Sequence, residues 1–310
     1  MKFDASRRLL LKASTALLLT LGASSAMAQA TEGTIVWGVA PGPYGDLIKQ
    51  AIQPGLEAKG YKIKFREFSD YVQPNLALNN GAVDANLFQH GLYLEKFSKD
   101  KGLKLSPLKL VPTAGLGLYS NKVGSIKELK KGDDITLAND PTNLARALRF
   151  LANLGLLTFK GNIDPTQASE RDIDQNPLGL VFKPLEAAQL PRTLDTATAA
   201  VVNGNFAIAA GLDLKSALEL EEMDENIKNL IAVRTEDLDK KFVKDILEVV
   251  ESDAFLAVVT DPSRQFASFQ RPEWIKKHLD SAAAPATQPA ADPSAVNSSA
   301  VQSAQAATQK

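Results

Sequence analysis

Cysteine is absent from all 310 residues, and histidine occurs only twice, at His90 and His278. The first absence excludes disulfides, thiolate metal sites, a cysteine nucleophile and lipid attachment through an N-terminal cysteine. The second argues against a multi-histidine metal centre or a two-histidine mechanism. An excess of charge of one sign is also lacking: 35 Lys and Arg against 36 Asp and Glu leave a formal net charge of −1. Nothing in that balance points to a nucleic-acid partner. Gly-x-Ser-x-Gly, His-Glu-x-x-His and a phosphate-binding glycine loop are missing as well. Neither an enzyme nor a metal or cofactor is expected.

What is present begins with a leader. Ser6-Arg7-Arg8-Leu9-Leu10-Leu11-Lys12 precedes an apolar run from Ala16 to Leu21 and the small residues Ala26-Met27-Ala28-Gln29-Ala30. A basic start, a short apolar core and an Ala-x-Ala site read as a secretory signal peptide over residues 1–30, twin-arginine-like in its paired arginines. The expected location is the periplasm, soluble and not lipid-anchored, because no cysteine is available to carry lipid. From 281 to 310 the chain is mostly Ala, Pro, Ser, Gln and Thr, which cannot bury enough surface to offset its ordering entropy, so a disordered tail is expected there.

Between these ends strands and helices alternate. Thr34–Ala40 and Tyr61–Phe68 have strand patterns, and a helix is expected from about Gly45 to Lys59. Further helical patterns cover Pro74–Asn80, Tyr93–Lys101, Ser125–Lys131, Pro141–Gly155, Leu194–Asn203 and Leu238–Ser252. Strands are expected at Ile135–Ala138, Leu178–Lys183, Phe206–Ala210 and Leu230–Val233. Regular βα alternation implies doubly wound α/β lobes. An exported protein with two such lobes has a default reading as a solute-binding protein that closes on its ligand at a hinge.

One segment says more about chemistry than any other. In Asp140-Pro141-Thr142-Asn143-Leu144-Ala145-Arg146, Asp140 is a good N-cap and Pro141 suits the first helical position. Asn143 and Arg146 then share one face of the first turns. Backbone N–H groups, the helix dipole, an amide and a guanidinium would converge on one point, which suits a carboxylate. The alternative is a well-capped helix whose Arg146 pairs with a surface acid.

Five motifs, one of them overlapping that segment, carry a resemblance. Gly38-Val39-Ala40-Pro41-Gly42-Pro43, Asp70 to Leu78, Asp84 to His90, Asn139 to Asn143 and Gln189 to Asp195 occur in an order that resembles the MetQ/NlpA family, the methionine-binding proteins of ABC importers. The resemblance runs from about residue 34 to 275. It implies an α/β fold of two lobes with a hinge and an inter-lobe ligand cleft, divided as 31–112 with 232–280 for the first lobe and 113–231 for the second. It also implies capture of a small amino acid, above all methionine, and its delivery by a monomer to a membrane permease. Carried over, the pocket takes Tyr71, Phe88, His90 and Tyr93 from the first lobe, Asn143, Arg146 and Asn203 from the second, and Asn229 near the return crossing.

The residue chemistry fits that assignment. An extended Asn86–His90 would turn Asn86, Phe88 and His90 to one side, and with Tyr71 and Tyr93 they would form an aromatic slot suited to a thioether. Asn143 and Arg146 would take the α-carboxylate, and Asn203 or Asn229 the α-ammonium. On pattern alone Phe88 and Tyr93 could be core aromatics, His90 a structural histidine, and Asn203-Gly204 a helix C-terminus. Three departures stand out: the lack of cysteine where family members are commonly lipoproteins, which bears on anchoring and not on the fold; Ile227-Lys228 before Asn229; and the polar stretch 166–176. Other readings are a relative that binds a different small amino acid or carboxylate, or a periplasmic protein-binding or chaperone role.

Overall fold

The computed structural model describes residues 33–283 apart from 162 and 165. The signal peptide expected at 1–30 lies outside the described residues, as does the expected tail from 284 onward; residues 281–283, assigned to that tail, instead end a helix. The chain enters on β1 (Gly33–Val39), an apolar strand that ends at Pro41-Gly42-Pro43, where proline removes a ladder donor. A helix follows in three pieces: α1 (Pro43–Leu47), a π-helical turn (Ile48–Ile52) and α2 (Gln53–Ala58). Next come β2 (Tyr61–Glu67), α3 (Gln73–Asn79), β3 (Ala85–His90), α4 (Gly91–Lys101) and β4 (Leu105–Leu110).

Residues 111–116 cross to a second sheet, which starts with β5 (Gly117–Tyr119) and β6 (Asp134–Ala138). The helix α5 (Pro141–Asn153) follows, then the small β7 (Thr158–Phe159) and β8 (Ile173–Gln175) pair and β9 (Val181–Leu185). A 3-10 segment, Ala187–Asp195, leads into β10 (Ala199–Val202), α6 (Gly204–Ala209) and β11 (Glu219–Leu220). Residues 221–228 cross back to β12 (Asn229–Arg234), and α7 (Lys241–Val250), α8 (Asp253–Thr260) and α9 (Glu273–Ala283) close the described chain.

The first sheet is ordered β2-β1-β3-β12-β4 and the second β11-β5-β10-β6-β9. β1 lies parallel to β2 and β3, while β12 runs antiparallel to β3 and β4. In the second sheet β6 is parallel to β9 and β10, and β5 is antiparallel to β10. Each sheet has its own core. Trp37, Ile48, Ile231, Phe255, Phe266 and Ile275 belong to the first; Leu137, Leu148, Leu151 and Val201 belong to the second. The last three helices therefore return to the first lobe, because their apolar faces complete its core. A third cluster joins Tyr71, Phe88 and Tyr93 of the first lobe to Leu190, Val202 and Phe206 of the second. The two lobes are in contact across it.

Three element expectations are corrected. Leu194–Asn203 is not a helix: its first residues finish the 3-10 segment and Ala199–Val202 form the central strand β10. Phe206–Ala210, expected as a strand, lies mostly in α6. A four-residue, fully buried apolar run shows no periodicity that separates strand from helix, and alanine favours the helical reading. Of Ser125–Lys131 only the 3-10 turn Ile126–Glu128 is helical.

Candidate functional site

All eight expected residues line one cleft between the lobes. Tyr71, Phe88, His90, Tyr93, Asn143, Arg146, Asn203 and Asn229 face it together with Tyr44, Gln89, Ala114, Gly204 and Asn205. The space left inside it is about 20 Å³, room for about one water and far below the ~300–1,000 Å³ usual for small-molecule pockets, so the lobes have closed on the cleft's own side chains. The eight are all buried, from Asn143 at 2 % exposed to Tyr71 at 7 %, so a ligand held there would be shut off from solvent.

The first lobe builds an aromatic wall. The Tyr71 and Phe88 ring centres lie 5.8 Å apart, and Tyr93 meets both edge-on at 6.0 and 6.1 Å. Phe206 of the second lobe closes on Tyr71 at 5.0 Å. The Tyr93 hydroxyl donates to the Tyr71 carbonyl at 3.0 Å, which fixes both rings. Burial pushes the Tyr71 and Tyr93 phenols well above their usual range, so both stay neutral.

β3 aims this wall through an irregularity. Its partner β12 pairs Leu230 with Gln89 and then Ile231 with Leu87, which leaves Phe88 opposite no residue. Such a bulge breaks the alternation of side chains. Phe88 and His90 line the cleft, but Asn86 does not: its Nδ2 donates to Asn75 Oδ1 at 2.9 Å and its Oδ1 accepts from Gln89 Nε2 at 3.0 Å. The expectation that Asn86, Phe88 and His90 share one side is corrected by that bulge.

His90 is also the N-cap of α4. Its Nδ1 accepts the Tyr93 backbone N–H at 3.2 Å, so Nε2 carries the proton and donates to Asn143 Oδ1 at 3.4 Å. Burial lowers its pKa to about 3, with the nearby Arg146 charge acting in the same direction. The imidazole is a neutral donor that joins the two lobes.

The second lobe supplies the polar end. Asp140 caps α5 as expected, accepting the Asn143 backbone N–H at 3.0 Å. The Asn143 amide, however, turns back to the Asp140 carboxylate at 3.1 and 3.0 Å. Its Oδ1 accepts from Asn203 Nδ2 at 3.0 Å. Arg146 is engaged by Glu221: Nε lies 2.9 and 3.2 Å from the two carboxylate oxygens, and Nη2 lies 2.6 Å from Oε2. Burial works against the Arg146 charge, but the attraction and hydrogen bonds of Glu221 outweigh it and its pKa is raised.

The carboxylate clamp drawn from Asn143 and Arg146 is thereby corrected in detail. Both face the cleft, but the Asn143 donors are held by the helix's own N-cap and one edge of the guanidinium by Glu221. Sequence spacing placed them on one face; it carried no information on the partners waiting there. Arg146 Nη1 has no partner among the described residues.

Asn203 is a helix N-terminus and not a C-terminus: it has extended backbone angles and α6 begins at the next residue. Its Oδ1 is buried without a hydrogen-bond partner. Gly204 is required beside it, since a Cβ there would lie 2.6 Å from the Ala114 carbonyl oxygen and Cβ. Asn229 donates from Nδ2 to the Phe88 carbonyl at 3.0 Å, and its backbone N–H reaches Thr113 Oγ1 at 2.8 Å. Lys228, unusual before Asn229, is buried with its ammonium on the Met223 carbonyl and the Glu225 carboxylate.

Sequence reasoning missed Tyr44, Asn205 and Glu221. Asn205 spans the lobes: Nδ2 donates to the Pro41 carbonyl at 3.0 Å and Oδ1 accepts the Tyr71 hydroxyl at 2.6 Å. A Cβ on Gly42, whose φ is +123°, would meet the Asn205 carbonyl oxygen at 2.5 Å, so this approach needs glycine. The polar Asn203-Gly204-Asn205 set in an apolar run is a usable signal; Glu221-Glu222 has no local pattern that sets it apart from surface acid.

Comparison with known proteins now decides the family. The sequence pattern described as NlpA lipoprotein matches residues 35–272. The chain belongs to the NlpA lipoprotein family. It is 38% identical over 222 residues to the D-methionine-binding lipoprotein MetQ of Salmonella typhi, covering 70% of this chain and 80% of the relative. Outer membrane lipoprotein 3 of Mannheimia haemolytica is 36% identical over 217 residues, covering 70% and 82%. Among solved structures, a nutrient binding protein from Burkholderia cenocepacia bound to methionine superposes with a TM-score of 0.71 at 37% identity, covering 76% of this chain and 97% of the other. The fold is that of the two-lobed solute-binding proteins.

Family membership corrects one expectation. The chain was expected to be soluble and not lipid-anchored, yet the family and its relatives are lipoproteins by name, proteins carried on a membrane by lipid. Lack of cysteine removes one attachment chemistry and does not by itself decide location. The MetQ relative and the Burkholderia protein are named for binding and not for catalysis.

Proposed function

We propose that this protein is the periplasmic solute-binding component of an ABC importer, that it captures methionine, and that it acts by binding without turnover. The observation that carries this reading is the division of one buried cleft between an aromatic wall and an Asn/Arg wall from the opposite lobe. The thioether chain lies between Tyr71, Phe88 and Tyr93, where sulfur gains from ring edges. The α-carboxylate meets Arg146 Nη1, and the ammonium meets the orphaned Asn203 Oδ1, with Asn229 beside it. The names of the relatives and the methionine in the Burkholderia structure support the choice of ligand.

The protein works as a monomer that presents its closed form to the permease. We place the first lobe at residues 31–112 plus the C-terminal helices, and the second from 113. The return crossing is put before Asn229, because β12 pairs in the first sheet. The test is titration calorimetry with both enantiomers of methionine, together with mass spectrometry of small molecules released on denaturation. One tight, saturable methionine site is the expected result. No binding of any amino acid, or steady consumption of the ligand, overturns the proposal.

A further inference from the structure

Glu221 lies outside the cleft lining, directly behind Arg146, on the segment that crosses back to the first lobe. It is 6 % exposed and holds Arg146 through Nε and Nη2. It also accepts the Leu116 backbone N–H at 3.1 Å, where the first crossing ends. Its own carbonyl accepts from Gln270 Nε2 at 2.5 Å. The carboxylate is thus tied to the first crossing through Leu116, and the Glu221 backbone is held by Gln270.

We propose that Glu221 is the residue that restricts the cleft to zwitterions. This rests on the amino-acid reading above and names which part of the ligand is selected. A ligand carboxylate at Nη1 would share one guanidinium with Glu221, so its attraction to Arg146 is offset by repulsion from a second carboxylate behind the same cation. Asp140, at the head of α5, adds acid to the same end, and His90 is neutral. The polar end therefore has no surplus positive charge. A simple carboxylate enters against that balance. An amino acid brings its own ammonium, which settles the local charge and supplies the donor that Asn203 Oδ1 lacks.

The experiment compares three ligands with the same side chain: methionine, methioninol without the carboxylate, and 4-(methylthio)butanoate without the ammonium. On the native protein the expected order of affinity is methionine, then methioninol, then 4-(methylthio)butanoate. In Glu221→Gln the preference for methionine over 4-(methylthio)butanoate should shrink by about tenfold or more, whereas Glu221→Asp, which keeps the charge, should retain most of it. A purely structural role would weaken all three ligands together. An unchanged preference in Glu221→Gln overturns the proposal. If that variant does not fold, the native protein decides: 4-(methylthio)butanoate binding as tightly as methioninol overturns it equally. If native protein binds methionine but either result goes against Glu221, only this inference falls. If native protein binds none of the three, the methionine reading itself falls.

Discussion

The two walls of the cleft are built by different means. The first lobe's wall is made of rings that pack on one another, Tyr71, Phe88 and Tyr93, with hydroxyls already bonded within the protein. The second lobe's wall is made of polar groups that neutralise one another, Arg146 with Glu221 and Asn143 with Asp140. The apolar wall can exist without a partner because its rings still touch each other. The polar wall in a buried cleft cannot leave charges open, so it carries its own counter-ions and leaves only a few atoms for a ligand. Recognition thus rests on shape at one side and on residual hydrogen-bonding capacity at the other.

The harshest way to break this comparison is Arg146→Ala. Removing one member of a buried pair leaves Glu221 uncompensated, at a cost of about 3–5 kcal/mol. The loss should show in the denaturation midpoint of the ligand-free protein as well as in calorimetry, where methionine binding should vanish. Arg146→Met combined with Glu221→Leu should recover much of the stability and none of the binding, since apolar replacement of both partners avoids a stranded charge. Near wild-type affinity in Arg146→Ala would refute the polar wall.

Next in size is a change that touches neither wall. Gly42→Ala introduces a Cβ against the Asn205 carbonyl at φ +123° and ψ −159°. Strain of this kind is about 1–3 kcal/mol, so methionine affinity should fall roughly tenfold to a hundredfold. X-ray scattering with saturating ligand should show less of the compact form. Full compaction would mean that the contact between Gly42 and Asn205 does not govern closure.

His90 joins the walls, and its neutrality makes the join sensitive to acid. Its folded pKa is about 3 against an ordinary 6.5, so between these values the unfolded chain binds more protons than the folded one. Stability therefore falls as pH drops through that window, by at most about 1.4 kcal/mol per pH unit from this group. Urea unfolding of His90→Asn should show a shallower loss between pH 6 and 4 than the native protein. Identical slopes would assign the acid sensitivity elsewhere.

The smallest effect sharpens the aromatic wall. Norleucine, which replaces the sulfur by a methylene, should bind more weakly than methionine by about 0.3–1.5 kcal/mol. Lysine and glutamate should fail to compete, because an unpaired charge among these rings is far more costly. Competition by either at methionine-like concentrations would show that the wall is not the ligand's surroundings.

Local signals in the chain were sufficient for much of this. The alternation in Tyr61–Phe68, the Pro41-Gly42-Pro43 break and the Asp140-Pro141 start of α5 each depend on neighbours within a turn or a pleat. They could be read without any knowledge of the fold, and the ordered motifs added the family and the eight lining residues. The strand–helix order around Asn203 could not be read that way. Four small apolar residues become β10 only because β5 and β6 flank them. Nor could the partner of Arg146, which lies 75 residues away in sequence on the return crossing. A guanidinium's need for a counter-ion is written in its chemistry, but which carboxylate meets it depends on where two crossings bring the backbone. The sequence by itself determined the architecture, the family and eight of the residues that face the cleft. Tertiary structure alone decided which of their atoms are already satisfied, and so what is left for a ligand.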